Sequence, residues 1–422
     1  MSITDRSITD AAHAAGVGVT PAAHDLPPII SVDDHILEPK DLWVSTLPAS
    51  QRDRAPRVSR ERVKLEFKGG HYGFDRGAED GDWCDLWLFD DLVAPTGLLH
   101  APAGIPRSEQ RNVPAVYEDF RPGTYDRTAR LADMDTNHVS AAINYPNTFP
   151  RFAGQGFAER EDKAFAFECL RIYNDWMIEE WCGGDAVGRL IPLTLIPLWD
   201  PVLAAEEVRR CAAKGSYAIA FSENPSKLGY PSLYTGEWDV LFQACQDTDT
   251  TISMHIGSSS TMPSTSPDAP LATSMALSSQ NAQGSMCDWY FSGSLSRFPS
   301  LKVAWAESQV GWMPYLIERM ELVFRDGVGG VELDTGPREL MEGRVWGCVF
   351  DDAHGLQSRH AMGLDKILFE TDYPHSDGTW PDSRAVAHDL CSQAEMTADE
   401  CYAFLRGNAI AAYGLDRFGI TE

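Results

Sequence analysis

The sequence predicts an α/β fold, a (β/α)8 TIM barrel with a long insertion after its first strand. Eight short apolar or β-branched runs recur along the chain, at 28–35, 139–146, 189–196, 217–223, 251–257, 301–307, 345–351 and 366–372. Runs such as Leu190-Ile191-Pro192-Leu193-Thr194-Leu195-Ile196 do not alternate strictly, as expected of strands covered on both faces. Helical spacing fills most of the segments between them, and repeated strand–helix alternation is the pattern of a parallel barrel. Five of the runs also finish on a side chain able to bind a metal: His35, Glu223, His255, Glu307 and Asp372. Barrel active sites lie at the C-terminal ends of the strands, so these five converge on one mouth.

The first run ends in Val32-Asp33-Asp34-His35, and residues two apart on a strand share a face. Asp33 and His35 are expected to point together into the barrel, with Asp34 turned away. About a hundred residues then separate the first two runs, far more than one helix needs. This insertion, about 40–135, carries Trp83, Trp87, Phe89, Tyr117, Phe120 and Tyr125, and is expected to form a lid or a packing subdomain. A helix over 162–180 places Phe165, Cys169, Ile172, Tyr173 and Trp176 on one face. Another over 202–214 opens with Asp200-Pro201 as N-cap and first turn, and Gly215 closes it.

The fourth run delivers Glu223 and the fifth His255, followed by a Ser-, Thr- and Pro-rich loop at 258–271. The sixth delivers Glu307, and Trp312, Tyr315 and Leu316 beyond it read as the packed face of a helix. Asp351-Asp352 at the seventh reads as a solvated loop pair. The eighth runs into Phe369-Glu370-Thr371-Asp372-Tyr373-Pro374-His375, where Glu370 is expected to hydrogen-bond a ligand or sit beneath the site, and His375 to lie in a loop past the strand. Residues 1–26 are expected to be a mobile extension and 27–422 a single barrel domain.

Composition narrows the function. The chain carries 62 acidic against 35 basic residues, a formal charge of −27, which argues against nucleic acid or an anionic membrane as a partner. The nine cysteines are scattered, with no C-x-x-C pair, and read as core thiols of a cytoplasmic protein. No apolar run reaches membrane-spanning length. The expected partner is a small-molecule substrate.

A lone His at a strand end is more often a hydrogen-bonded structural residue, and a lone Glu more often a cap or ion-pair partner. Six candidates on one mouth change that balance. Asp33, His35, Glu223, His255, Glu307 and Asp372 are the expected metal ligands, with Glu307 and His375 in catalytic roles. A loop His beside a metal orients a ligand or moves a proton. Two His and four carboxylates are richer in hard oxygen than a zinc hydrolase site and favour iron or manganese.

These residues resemble the amidohydrolase superfamily, in the branch that includes aminocarboxymuconate semialdehyde decarboxylase and resorcylate decarboxylases. Asp33-x-His35 stands for the first-strand motif, His255 for the fifth-strand His and Asp372 for the eighth-strand Asp. The resemblance spans roughly 30–414 and allows a homodimer. Two departures stand out: Glu307 occupies the sixth-strand end where the decarboxylases carry a catalytic His, and Glu223 stands where dinuclear relatives place a bridging carboxylate-type ligand. The chain is also similar to a small group of these barrels that act as nonheme di-iron monooxygenases, one of them in platensimycin and platencin biosynthesis. That resemblance implies two iron ions, O₂ as a partner, and hydroxylation of a bulky apolar, terpenoid-type substrate. The alternative is a hydrolase or decarboxylase with one zinc or manganese acting on a small carboxylated substrate, and a third reading is a silent scaffold barrel.

Overall fold

A computed structural model describes residues 20–421, apart from 69–70, 328 and 331–332. Strand β1 (Ile29–His35) is buried along its whole length and starts the barrel. The insertion contributes β2 (Arg57–Lys68), β3 (His71–Arg76), β4 (Asp82–Phe89) and β5 (Leu92–Pro95), an antiparallel sheet in the order β3-β2-β4-β5. The remaining barrel strands are β6 (Val139–Tyr145), β7 (Leu190–Pro192), β8 (Ala218–Ser222), β9 (Thr251–His255), β10 (Val303–Ala306), β11 (Val345–Val349) and β12 (Ile367–Phe369). Each falls inside one of the eight runs read from the sequence.

The barrel strands pair in parallel as two arcs, β1-β6-β7 and β8-β9-β10-β11-β12. Backbone hydrogen bonds join the arcs at both seams. The Thr194 N–H donates to the Ala218 carbonyl at 3.0 Å, and the Ala220 N–H to that of Thr194 at 2.9 Å. Past β12, the Asp372 N–H donates to the Asp33 carbonyl at 3.0 Å, and the His35 N–H to that of Tyr373 at 2.6 Å. Strands shared by a ring have no open edge, and every side chain on the inner face meets another strand.

The intervening helices follow their local signals. Lys163–Trp176 is capped by the Asp162 carboxylate, which accepts the Phe165 N–H at 3.1 Å, and it widens into a π-helical turn over Met177–Trp181. Pro201–Ala213 is capped by Asp200, which accepts from the Val202 and Leu203 N–H groups. Gly215 sits at φ +100°, a region open to glycine, and ends that helix.

The insertion's aromatics mostly fasten it to the barrel. Trp87 packs on Phe149 at 5.0 Å, Phe89 packs on Phe157 at 6.0 Å, and the Tyr117 hydroxyl donates to the Glu38 carbonyl at 2.6 Å. Trp83 is exposed, and of the six aromatics named above only Trp87 lines the main cavity. The expected extension divides at Thr20: residues 1–19 lie outside the described residues, whereas the Thr20 hydroxyl donates to the Met396 carbonyl at 2.8 Å and Leu26 is buried. All nine cysteines are free thiols, and among the described residues no helix is long and apolar enough to cross a membrane.

Asp34 faces away from the barrel interior and stitches the β12–β1 seam. Its Oδ1 accepts from Ser31 Oγ at 2.8 Å, Thr371 Oγ1 at 2.6 Å and the Tyr373 N–H at 3.3 Å. Buried Arg130 stands 4.0 Å from Asp34 Oδ2, packs on the Tyr373 ring and donates to the His35 carbonyl. Removing the carboxylate strands several buried donors and one buried cation. Asp34→Ala is therefore expected to lower unfolding stability by about 3 kcal/mol, read as a lower denaturant midpoint with an unchanged slope.

Candidate metal centre

Two imidazoles define the centre. His35, at the end of β1, directs Nδ1 to the Pro146 carbonyl at 3.2 Å; His255, at the end of β9, directs Nδ1 to the Ile256 carbonyl at 2.6 Å. A carbonyl only accepts, so each ring carries a proton on Nδ1, and in its neutral form keeps a bare lone pair on Nε2. The two Nε2 atoms face each other at 3.1 Å. Burial and the adjacent His375 push His35 down to about 4, which keeps its ring neutral. Burial also acts against charge on His255, yet Glu307 and Asp33 raise that ring to about 9.

Carboxylates crowd the same point. Asp33 Oδ1 lies 3.2 Å from His35 Nε2, Asp33 Oδ2 lies 3.3 Å from His255 Nε2, and Asp372 Oδ1 is 3.6 Å from His35 Nε2. Glu307 Oε1 stands 3.7 Å from His255 Nε2. Asp33 and Asp372 are fully buried, and none of their four carboxylate oxygens accepts a hydrogen bond of acceptable geometry. Burial alone would raise the Asp33 carboxyl, but His255 and His35 hold it well below the usual range; burial pushes Asp372 well above its usual range. Carboxylates and imidazole nitrogens crowded at one buried point are stabilised when a cation sits among them. Asp33, His35, His255 and Glu307 bring one donor atom each within 4.8 Å of one another, and so do His35, Glu307, Asp372 and His375. The residues fit a metal ion of hard or borderline character.

Local backbone sets these directions. Glu307 and Asp372 adopt left-handed conformations, at φ 54° and 49°, just past their strands. Non-glycine residues hold such angles only where the surroundings impose them. Buried Glu370 supplies part of that grip by accepting the Glu307 N–H with both oxygens at 3.1 Å. His375 stacks on His35 at 3.8 Å and Phe152 on His255 at 3.9 Å, so both ligand rings are clamped on a flat face.

The structure brings Asp33, His35, His255, Glu307, Asp372 and His375 together and leaves Glu223 apart. Glu223 belongs to neither group of donors. Its Oε1 accepts from Ser259 Oγ at 2.8 Å, Asn281 Nδ2 at 3.0 Å and the Gly257 N–H at 3.2 Å, so it braces the loop after β9. Glu223 was expected among the ligands; the structure sets it outside both donor groups, with Oε1 taken by local donors and Oε2 buried without a hydrogen-bond partner. His375 lies closer in than its loop position implied, with Nδ1 at 2.9 Å from Asp372 Oδ1.

Two neighbours were not singled out from the sequence. Asn147 accepts from His375 Nε2 at 3.3 Å, donates its Nδ2 to the His100 carbonyl at 2.7 Å, and has its own N–H held by Glu38 Oε1 at 2.9 Å. It follows the second barrel strand directly, so its strand-end position was visible, but it is neither acid nor base. His100 comes from the insertion, where no periodicity marks it. A cavity of about 730 Å³ opens over the centre, with Glu307, Asp372 and His375 at its floor and Trp87, Leu92, Phe149 and Phe152 on its walls.

Asp33→Ala and His255→Ala are each expected to lower bound metal about tenfold or more, measured by elemental analysis after purification. Glu223→Gln is expected to keep the wild-type metal content, and loss of metal there would return Glu223 to the ligand set.

The family model described as Amidohydrolase matches residues 97–415. The chain is 26% identical over 314 residues to a 2-amino-3-carboxymuconate-6-semialdehyde decarboxylase of Dictyostelium discoideum, covering 71% of this chain and 80% of that one. Among solved structures it is similar to an amidohydrolase from Mycobacterium avium subsp. paratuberculosis, with TM-score 0.65, 21% identity, and 92% and 99% of the two chains covered. It is also similar to a 5-carboxyvanillate decarboxylase from Novosphingobium aromaticivorans with bound manganese, with TM-score 0.61, 15% identity, and 94% and 99% covered. With a match over well more than half its length, and the site at the mouth of its barrel, the chain belongs to the amidohydrolase family.

Proposed function

We propose that this protein is a metal-dependent carboxy-lyase, removing CO₂ from a small carboxylated substrate without O₂. The observation that carries this reading is the setting of His375 at the cavity floor. Its Nδ1 faces the Asp372 and Glu307 carboxylates at 2.9 and 3.7 Å, and its Nε2 faces Asn147 Oδ1 at 3.3 Å. The Asn147 amide is fixed with its oxygen toward His375, because its Nδ2 donates to a carbonyl that cannot donate in return. Both ring nitrogens therefore meet acceptors, and the ring holds two protons. Burial opposes that charge, but Asp372 and Glu307 raise His375 well above its usual range.

Loss of CO₂ leaves an electron pair on carbon that must take up one proton. His375 is placed to supply it from Nδ1, returning to the neutral ring. Glu307 is partly exposed and faces the cavity, so it can pass a replacement proton from solvent to His375. In this role Glu307 serves proton balance at the position where the resembling decarboxylases carry a His. Asp33, His35, His255 and Asp372 would hold one divalent ion, manganese or zinc, supplying positive charge for the substrate's carboxylate or adjacent oxygen. The decarboxylase names among the relatives support the same class of reaction.

One observation favours a second reading, the di-iron monooxygenase acting on a bulky apolar substrate. The donor groups form two overlapping sets that share His35 and Glu307, and the cavity walls are largely apolar. No relative named above carries an oxygenase activity in its name, and Glu223 Oε1 is engaged by local hydrogen bonds.

Metal loading separates the two. The manganese-loaded protein is expected to release CO₂ from aromatic or unsaturated carboxylates with no O₂ uptake, and chelation should abolish turnover. Two irons per chain with substrate-dependent O₂ consumption would replace this reading by the oxygenase. His375→Gln is expected to keep its metal while kcat falls by a factor of about 10² or more. Because His375 acts in its protonated form and its pKa is raised, wild-type kcat should hold at low pH and decline as pH climbs above neutral. A metal-replete His375→Gln protein with unchanged kcat would remove His375 from the mechanism.

A further inference from the structure

Two basic side chains on the cavity wall stand outside this mechanism. Arg151 is already paired, with the Glu159 carboxylate and, at 3.4 Å, Ser260 Oγ. His100 is different. It sits in the single turn Leu98–His100 of the insertion and lines the same cavity as Glu307, Asp372 and His375. Its Nδ1 accepts the Gly97 backbone N–H at 3.2 Å. A ring nitrogen that accepts from an amide carries no proton, so the neutral ring bears its proton on Nε2. Burial and nearby His375 hold the ring down to about 4, so it stays uncharged at neutral pH. Among the described residues, no hydrogen-bond acceptor meets Nε2.

The position of this donor is well fixed. The His100 carbonyl is held by Asn147 Nδ2, the same amide whose oxygen takes His375 Nε2. His100 and the proton-carrying histidine therefore share one bridging side chain. An N–H donor on a largely apolar wall favours a ligand with an oxygen acceptor, and leaves itself unpaired against a ligand without one.

We propose that His100 is a specificity-determining residue whose Nε2–H donates to an anionic or carbonyl-type oxygen on the substrate, beyond the carboxylate that is lost. Only the departing carboxylate rests on the carboxy-lyase reading; the donor itself does not.

The test uses the full-length, manganese-loaded protein with salicylate and benzoate as probes, which differ by one ring hydroxyl. Salicylate is expected to bind about tenfold more tightly by calorimetry. His100→Leu should erase that advantage and His100→Gln, which keeps an N–H donor, should largely restore it, both at wild-type metal content. In ¹⁵N-labelled protein the His100 ring should be the Nε2–H tautomer, with that proton shifted by salicylate and not by benzoate. If His100→Leu fails to fold, the tautomer and probe measurements on the wild type decide alone. Equal affinity for the two probes, or an Nδ1–H tautomer, overturns the proposal. CO₂ release is scored separately: a protein that discriminates salicylate through His100 yet decarboxylates nothing counts against the carboxy-lyase reading and leaves His100 in place.

Discussion

Four carboxylate oxygens buried without a hydrogen bond, on Asp33 and Asp372, are the constraint around which this molecule is built. Isolated buried carboxylates cost several kcal/mol each, so a fold that gathers them must bring compensating positive charge to the same point. His35 and His255, each held at Nδ1 by a backbone carbonyl, aim their Nε2 atoms at the same point. The centre therefore makes physical sense as a cation site, and the surrounding structure serves to hold its donors in place. Left-handed backbone at Glu307 and Asp372, the grip of Glu370 on the Glu307 N–H, and the rings stacked on His35 and His255 all act to that end.

The same segment that supplies ligands also closes the barrel. Asp372 presents its carboxylate to the centre while its N–H donates to the Asp33 carbonyl, and Tyr373 accepts the His35 N–H. Asp34, next to two candidate ligands, turns outward and fastens Thr371 and Tyr373 from the other side. Alternation along one strand thus divides labour: Asp33 and His35 face the chemistry, and Asp34 with Arg130 holds the seam. Stability and site geometry are coupled here through shared backbone.

The insertion completes the site from above. Its buried aromatics anchor it to the barrel through Phe149 and Phe157, and its strands and the turn at Leu98–His100 wall the cavity. Asn147 is the hinge between the two parts, touching His100 on one side and His375 on the other. A charged barrel floor beneath a cavity wall supplied by an insertion is common in this architecture, where loops vary over a fixed mouth.

The sequence by itself determined the barrel. Eight buried strands have a local cause, continuous apolar runs bounded by turns, and the observed strands fall within those runs. It also marked Asp33, His35, His255, Glu307 and Asp372, because strand ends in a barrel share one mouth whatever the details of packing. What it could not decide was which strand-end carboxylates point at the centre. Glu223 satisfies the same rule as Glu307, yet Ser259, Asn281 and Gly257 claim its oxygen from segments 34 to 58 residues away. Nor could it find His100 and Asn147, whose roles exist only because the insertion folds back over the mouth. Strand identity is written in nearest-neighbour pattern, whereas the direction of a side chain and the tautomer of a ring are fixed by partners distant in the chain, and only the tertiary structure supplies those.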